Sequence, residues 1–308
     1  MENKRPIVDP EKRLKVTKRY LHALALLQGS AKDPEDLNSN SLADILSLDE
    51  NEESKIADTS ILKYIREHLI DELGIDINLE KGSRRIVLDE PLDPAMVERI
   101  AGIYSSFVVK DSAREIVLKN FIKKHPYDGL WMLARIYFAI LARRRISFDY
   151  SPDGLQFYQN IVNPFHLVFR NNNLYLACRV LSTGQIFPLT VSKINNLKIL
   201  DKEFDEEIPL VEEIFKDTLG AFIGKRQNVR IKFAKEIYTA IYDVLGILDP
   251  KYTEVEGGAY YLAEFAVSDD RYLCMQLFLH GSKVEILEPA DLRKTMTDML
   301  KNSLVIYK

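Results

Sequence analysis

The hydrophobic period of this chain changes from helical to alternating near its middle, and that change restricts the fold more than any other feature. Trp131, Ala134, Phe138 and Leu141 recur at helical spacing. From Ile146 the rhythm is alternating: Ile146-Ser-Phe148-Asp-Tyr150 sends every second residue to the same side. A chain that turns from helical stripes to alternating strands cannot be a simple bundle or an all-β barrel. Runs of helix and runs of strand in separate stretches make the class α+β.

Ahead of the switch, residues 11–28 read as a helix with Leu14, Leu21, Leu24 and Ala25 on one face, stopped by Gly29. Asn40 or Ser41 can cap a short second helix carrying Leu42, Ile45 and Leu46. After an acidic loop, Asp49 to Glu53, a third helix runs from Asp58 or Thr59 to Leu73. Its buried face is Ile61, Ile65, Leu69 and Leu73, and Gly74 suits a left-handed end. Two short alternating segments, Ile75 to Leu79 and Arg84 to Leu88, flank a turn at Gly82 and predict a hairpin. Three helices closed by a hairpin make a winged helix-turn-helix.

Pro91 and Pro94 mark a boundary, and two or three helices fill roughly 94–144. One apolar stripe there is Met96, Ile100, Ile103 and Phe107. Beyond Ile146, the segments Phe157–Val162, Leu167–Phe169, Leu174–Val180 and Ile186–Val191 predict further strands. Asp153-Gly154, Asn171-Asn172-Asn173 and Thr183-Gly184 supply turns between them. Short strands so closely spaced predict a small barrel. The last 80 residues or so read β-α-β-β-α-β plus a final helix after Pro289, the order of a ferredoxin-like α/β sandwich.

Composition limits function mainly by exclusion. The chain has 308 residues, 46% apolar, with a formal charge of -4. Nucleic-acid binding must therefore rest on local basic clusters rather than on a polycationic body. Such clusters exist. Lys4, Arg5, Lys12, Arg13, Lys15, Lys18 and Arg19 crowd the first helix and its approach, and Lys81, Arg84 and Arg85 surround the wing turn. On the third helix Ser60 and Lys63 face away from the core with Glu67 and Asp71, and Thr59, Tyr64 and Arg66 flank them. The first five basic or polar residues of that face suit base edges and phosphates; a mixed-charge solvated face is the alternative. Arg143-Arg144-Arg145 either adds positive potential to a groove or ends a helix against its own dipole.

The two cysteines, Cys178 and Cys274, form no Cys-x-x-Cys pair. The five histidines show no metal spacing, and no nucleophile elbow, Walker loop or dinucleotide fingerprint occurs. The expectation is a non-enzyme without cofactor. A polar N-terminal stretch and the lack of any ~20-residue apolar run predict a cytoplasmic protein not in a membrane.

Several motifs in order resemble the WYL-domain family of bacterial transcriptional regulators. They are the strand Ile146 to Tyr150, Pro164-Phe-His166-Leu167, Leu174-Tyr175-Leu176 and Leu189-Thr-Val-Ser-Lys193-Ile194. At the C-terminus, Gly281-Ser-Lys-Val284-Glu-Ile-Leu287 followed by Pro289-Ala-Asp-Leu292-Arg293 is similar to the extension that family carries. Three positions depart from the pattern: Leu174 replaces Trp, Lys193 replaces Arg, and Asn160 stands where another Arg is expected. A lysine point charge grips phosphate less specifically than an arginine fork.

The resemblance implies a winged helix-turn-helix over 1–90, a helical linker over 91–144 and an SH3-like β-barrel, the WYL ligand-sensing domain, over 145–205. A linker over 206–227 and the extension domain over 228–308 follow. It further implies a homodimer that binds double-stranded DNA through Thr59, Ser60, Lys63, Tyr64, Arg66, Lys81, Arg84 and Arg85. The sensing domain would hold a nucleotide or single-stranded nucleic-acid ligand through His166, Tyr175, Arg179 and Lys193. For those four residues a purely structural reading is equally open, because Tyr175 is also just the alternate face of a strand.

Overall fold

The computed structural model describes residues 10–28, 37–48, 56–72, 74–80, 82, 85–110, 121–122, 125, 129–151, 158–170, 173–221, 223–268 and 270–307. The chain forms two compact units, residues 1–208 and 209–308.

The first unit begins with α1 (Pro10–Gln28) and α2 (Ser39–Leu48). The cap of α2 is Asn38, two or three residues earlier than the sequence suggests. Its Oδ1 accepts the amides of Asn40 and Ser41 at 3.0 Å each, while Ser41 Oγ accepts the Asn38 amide. Helix α3 (Asp58–Tyr64) continues through wider π-type turns over Ile65–Glu72. Ile61, Ile65 and Leu69 are buried as their spacing requires. Gly74, at φ 65°, takes the left-handed position, and the Ile75 amide returns to the Leu69 carbonyl at 3.0 Å. Strands β1 (Ile77–Leu79) and β2 (Ile86–Leu88) form an antiparallel hairpin, shorter than the alternation suggests. Next to β2, Arg85 bridges Asn38, and the Ile86 amide donates to the Leu37 carbonyl at 2.9 Å. The segment before α2 therefore adds a third, short rung to the hairpin.

Helix α4 (Pro94–Val108) runs into β3 (Val109–Lys110), and α5 spans Gly129–Leu141. The buried stripe of α4 is Val97, Ile100, Ala101 and Tyr104. The stripe read from sequence is rotated by about one position, for Ile103 is 52% exposed. Helix α5 is apolar nearly all round, and such a helix has to be enclosed. Leu130, Leu133, Ala134, Ile136 and Ala139 are fully buried, and one continuous core runs from Leu21 on α1 through α5 to Leu197. The helical segment is thus the centre of this unit and not a free spacer. Truncating Ile136 to Ala removes contacts from a site that cannot collapse, at a cost of roughly 2–5 kcal/mol.

The sheet that follows contains β4 (Arg144–Tyr150), β5 (Tyr158–Arg170), β6 (Asn173–Val180), β7 (Ile186–Thr190) and β8 (Ile194–Glu203). The order is β7-β6-β5-β4-β8, antiparallel, with β3 alongside β5 in parallel. Two segments that the sequence separates are one strand, β5, because Pro164 sits beside a bulge between Pro164 and His166. A bulge frees the partner of the missing N–H and tolerates proline inside the ladder.

The expected barrel does not close. The two edge strands, β7 and β8, share no ladder; a single 3-10 turn, Val191–Lys193, joins them end to end. Bulges in β4 and β5 curl the sheet enough to bring its edges to that turn. There the Thr190 amide donates to Tyr150 Oη and the Ser151 amide to the Lys193 carbonyl, both at 3.2 Å.

In the second unit a short helix, α6 (Val211–Ile214), leads to β9 (Gln227–Ala234), α7 (Tyr238–Leu245), β10 (Lys251–Val255), β11 (Tyr260–Val267), α8 (Asp270–Phe278), β12 (Val284–Glu288) and α9 (Ala290–Ile306). The four strands are antiparallel in the order β10-β11-β9-β12. Val229, Ile231 and Phe233 alternate into a core shared with Ile241, Leu245, Leu273, Leu277 and Leu292. Gly258, at φ 88°, takes a backbone conformation that L side chains rarely adopt, and a Cβ there would also push aside the end of Glu254, whose Oε1 lies at 2.6 Å.

Candidate nucleic-acid and ligand interfaces

On α3 the buried residues Ile61, Ile65 and Leu69 leave Thr59, Ser60, Lys63, Arg66, Glu67 and Asp71 exposed. Lys63 pairs with Glu67 at 3.7 Å, with the two side chains 72% and 52% exposed. So exposed an i,i+4 pair contributes about 0.3–0.5 kcal/mol, and Lys63 can leave it for a phosphate at little cost. Tyr64 behaves differently. Its ring stacks on Tyr20 of α1 at 4.2 Å between centroids, so it holds α3 against α1. Arg85 is half-buried beside Asn38. Lys81 and Arg84 lie outside the described residues, as do Lys4, Arg5 and the side chains of Lys12, Arg13 and Lys15. Lys18 faces inward, donating to the Tyr137 hydroxyl of α5 at 3.3 Å.

The second site is one face of the curled sheet. Along β6, Leu174, Leu176, Cys178 and Val180 enter the core, which turns Tyr175, Ala177 and Arg179 to the other face. Register brings neighbours from β5 and β7 to them: Val168 and Thr190 beside Tyr175, His166 and Pro188 beside Ala177, Asn163 and Ile186 beside Arg179. His166, Tyr175 and Arg179 are therefore gathered on one face, each half-buried. Lys193 comes from the 3-10 turn just past Thr190, also half-buried. His125 Nε2 lies 3.2 Å from the Ser192 carbonyl, a bond it donates when that nitrogen carries the proton.

Arg179 has partners that sequence reasoning missed. Its Nε donates to Glu206 Oε2 at 2.5 Å and its Nη1 to the Gly184 carbonyl at 2.8 Å. The other Glu206 carboxylate oxygen accepts from Asn163 Nδ2. Phe165, displaced by the bulge in β5, is fully buried beneath Arg179, whose guanidinium carbon lies 5.9 Å from the ring centre. Phe204 packs edge-on against Phe165 at 6.1 Å.

Arg143 ties this short segment down. Its carbonyl accepts the Phe204 amide at 2.9 Å, and its guanidinium donates to the carbonyls of Phe204 and Glu206. The Arg143-Arg144-Arg145 run thus serves neither of the roles read from sequence as a block. Arg143 bends at φ 51° and clamps residues 204–206, while Arg144 reaches Asp201 at 3.5 Å from within β4. The acidic run Asp205-Glu206-Glu207 was the available signal, but nothing in the sequence pairs it with Arg179.

Burial pushes the Cys178 thiol far up, and it pushes Cys274 up to about 11 with help from Asp270. Neither is a nucleophile near neutral pH. Among the described residues no group of His, Cys, Asp or Glu could hold a metal ion, and no helix is long and apolar enough to cross a membrane.

The curled sheet with its preceding helix, followed by an α/β unit, is the arrangement that comparison with known families identifies. The model of the WYL domain matches residues 132–199, and that of the WCX domain matches residues 225–304. The chain therefore carries a WYL domain followed by a WCX domain. No curated protein matches it. Among solved structures, proteasome accessory factor B/C (PafBC) of Arthrobacter aurescens shares 17% identity at a TM-score of 0.30, over 98% of this chain. The chain spans 56% of that structure's length. A CRISPR Cas-related protein shares 12% identity at a TM-score of 0.43, over 99% of this chain and 88% of its own.

Proposed function

We propose that the protein is a ligand-responsive, DNA-binding transcriptional regulator, cytoplasmic and without an enzymatic centre. The observation that carries this reading is the first unit's construction. Three helices, a hairpin and a third rung from the segment before α2 are the parts a winged helix-turn-helix needs, and the outer face of α3 is exposed. The same core continues into a WYL domain. Thr59, Ser60, Lys63 and Arg66 contact the duplex, and Arg85, with Lys81 and Arg84, belongs to the wing side. His166, Tyr175, Arg179 and Lys193 form the sensing face. An aromatic ring beside cations suits a phosphate next to a base, so the ligand is a nucleotide or a short single strand. The shared core and the His125–Ser192 contact supply a route from sensor to reader. A ligand acts through that route only by preferring one arrangement of it. The active species is a homodimer on an inverted repeat.

Binding of random-sequence duplex DNA over a salt series tests the reading. Lys63→Ala and Arg66→Ala each weaken binding and lower the salt slope by about one unit if each neutralises one phosphate. Unchanged affinity and slope in both removes DNA contact from α3. The alternative, a winged helix that docks on a protein, has one observation in its favour: Glu67 and Asp71 are exposed on the same face. It is adopted if no duplex binds at low salt.

A further inference from the structure

We propose that the anion subsite of the sensing face is occupied by the chain's own Glu206, which a phosphate-bearing ligand must displace from Arg179. This rests on the proposed ligand-sensing role of that face and adds how the site is kept shut. A carboxylate and a phosphate use the same two-pronged grip of a guanidinium. Glu206 already occupies one prong of it: one oxygen is on Arg179 Nε at 2.5 Å and the other turns to Asn163 Nδ2, while Arg179 Nη1 is on the Gly184 carbonyl.

Three features mark Glu206 as a replaceable occupant rather than a fixed part of the core. Arg179 and Glu206 side chains are 33% and 25% exposed, so solvent and ions reach the pair. Asn163 is 4% exposed, and its Oδ1 is buried with no hydrogen-bond partner. A buried acceptor without a donor is uncommon and costly. The strap leaves half of this amide unsatisfied, whereas a ligand bearing a hydroxyl or N–H as well as a phosphate can use both of its ends. Finally, Glu206 is not carried by the sheet. It lies just past the end of β8, held by Arg143 through the carbonyls of residues 204 and 206. Moving it breaks no strand pairing.

The geometry also says what displacement would do. The strap is the last stretch of the first unit before Pro209 opens the second. A ligand that takes Arg179 releases the Glu206 side chain and loosens the Phe204–Phe165 contact. Occupancy of the subsite and the packing of residues 204–206 then become one equilibrium, which is what a sensor needs.

The test uses the full-length protein with two probes, 5′-phosphorylated tetrathymidylate and inorganic phosphate, in wild type, Glu206→Gln and Glu206→Gln with Arg179→Ala. Glutamine keeps the shape, removes the competing charge and can accept only one of the two hydrogen bonds. Glu206→Gln should bind the oligonucleotide about 5- to 10-fold tighter than wild type, in the range of ordinary site coupling, and the added Arg179→Ala should abolish the gain. A parallel gain with inorganic phosphate shows that phosphate alone is read; a gain with the oligonucleotide alone shows that the base is needed too. Either supports the proposal. Hydrogen exchange is the second measurement: the amide of Phe204 should exchange faster when wild type is saturated with oligonucleotide. Wild-type binding that Glu206→Gln leaves within about twofold, with no change at Phe204, overturns the latch and leaves the ligand reading standing. A gain that survives Arg179→Ala also overturns it. Failure of every protein to bind either probe removes both.

Discussion

Two arginines of this protein, one in each sheet, meet their carboxylates in opposite ways. In the C-terminal unit the charges of the sheet and its borders are neutralised locally. Arg230 on β9 lies 3.6 Å from Glu264 on β11 and 3.9 Å from Glu288 on β12. Lys232 pairs with Glu256, Lys235 with Glu254, and Arg293 with Glu285. In the first unit Arg179 finds its carboxylate outside the sheet, on a strap beyond β8. Cross-strand pairs persist as long as the sheet exists. A pair between a sheet and a strap can open while both remain folded. The difference sets the Arg179 pair, the one the proposed latch uses, apart from cross-strand pairs such as Arg230 with Glu264 and Arg144 with Asp201.

Substitutions at three positions break or sharpen this contrast. The largest effect belongs to Phe165→Ala. Phe165 is fully buried between Arg179 and Phe204, so its loss should destabilise the first unit by about 3–5 kcal/mol in denaturant titration. A change below about 1 kcal/mol would mean that the strap and Phe204 do not pack there. An intermediate effect is expected at Tyr175, measured on oligonucleotide binding. Tyr175→Ala should cost about 1–3 kcal/mol if a base stacks on the ring, and Tyr175→Phe about 0.5–1.5 kcal/mol if the hydroxyl bonds the ligand. Equal affinity in wild type and Tyr175→Ala would move the ligand off this face. The smallest effect is Arg230→Ala, an exposed cross-strand pair, which should change stability by no more than about 1 kcal/mol. Its oligonucleotide affinity should equal that of wild type; a loss there would give the C-terminal sheet a share in binding and erase the contrast.

Much of the architecture is legible without coordinates, for physical reasons that can be named residue by residue. The stripe Ile61, Ile65, Leu69 places α3 and its exposed face, because a helix repeats every 3.6 residues whatever it packs on. Alternation places Val229, Ile231 and Phe233 on one side of β9 in the same way. Elements were misread where the local signal and the tertiary environment disagree. Strand β8 has the charged sequence Asn-Asn-Leu-Lys-Ile-Leu-Asp-Lys-Glu, which does not alternate clearly, and only pairing with β4 makes it a strand. Pro164 divides β5 in the sequence, yet the bulge accommodates it. The buried stripe of α4 is rotated because Val97, Ala101 and Tyr104 meet the core, a choice of face that several apolar neighbours left open.

By itself the sequence determined the order of helices and strands, the switch from helix to sheet near Ile146, the exposed polar face of α3 and the grouping of Tyr175 with Arg179. These depend on periodicity along one element, which is a local property. Only the tertiary structure decided that α5 is the centre of a core instead of a spacer, that the curled sheet stays open, and that Arg179 meets Glu206. Each of these depends on contacts between residues far apart in the chain. Arg179 and Glu206 are 27 positions apart, and what unites them is a bulge, a turn and the clamp of Arg143. No local rule encodes that meeting, because the energy of a charge depends on which groups surround it after the chain has folded.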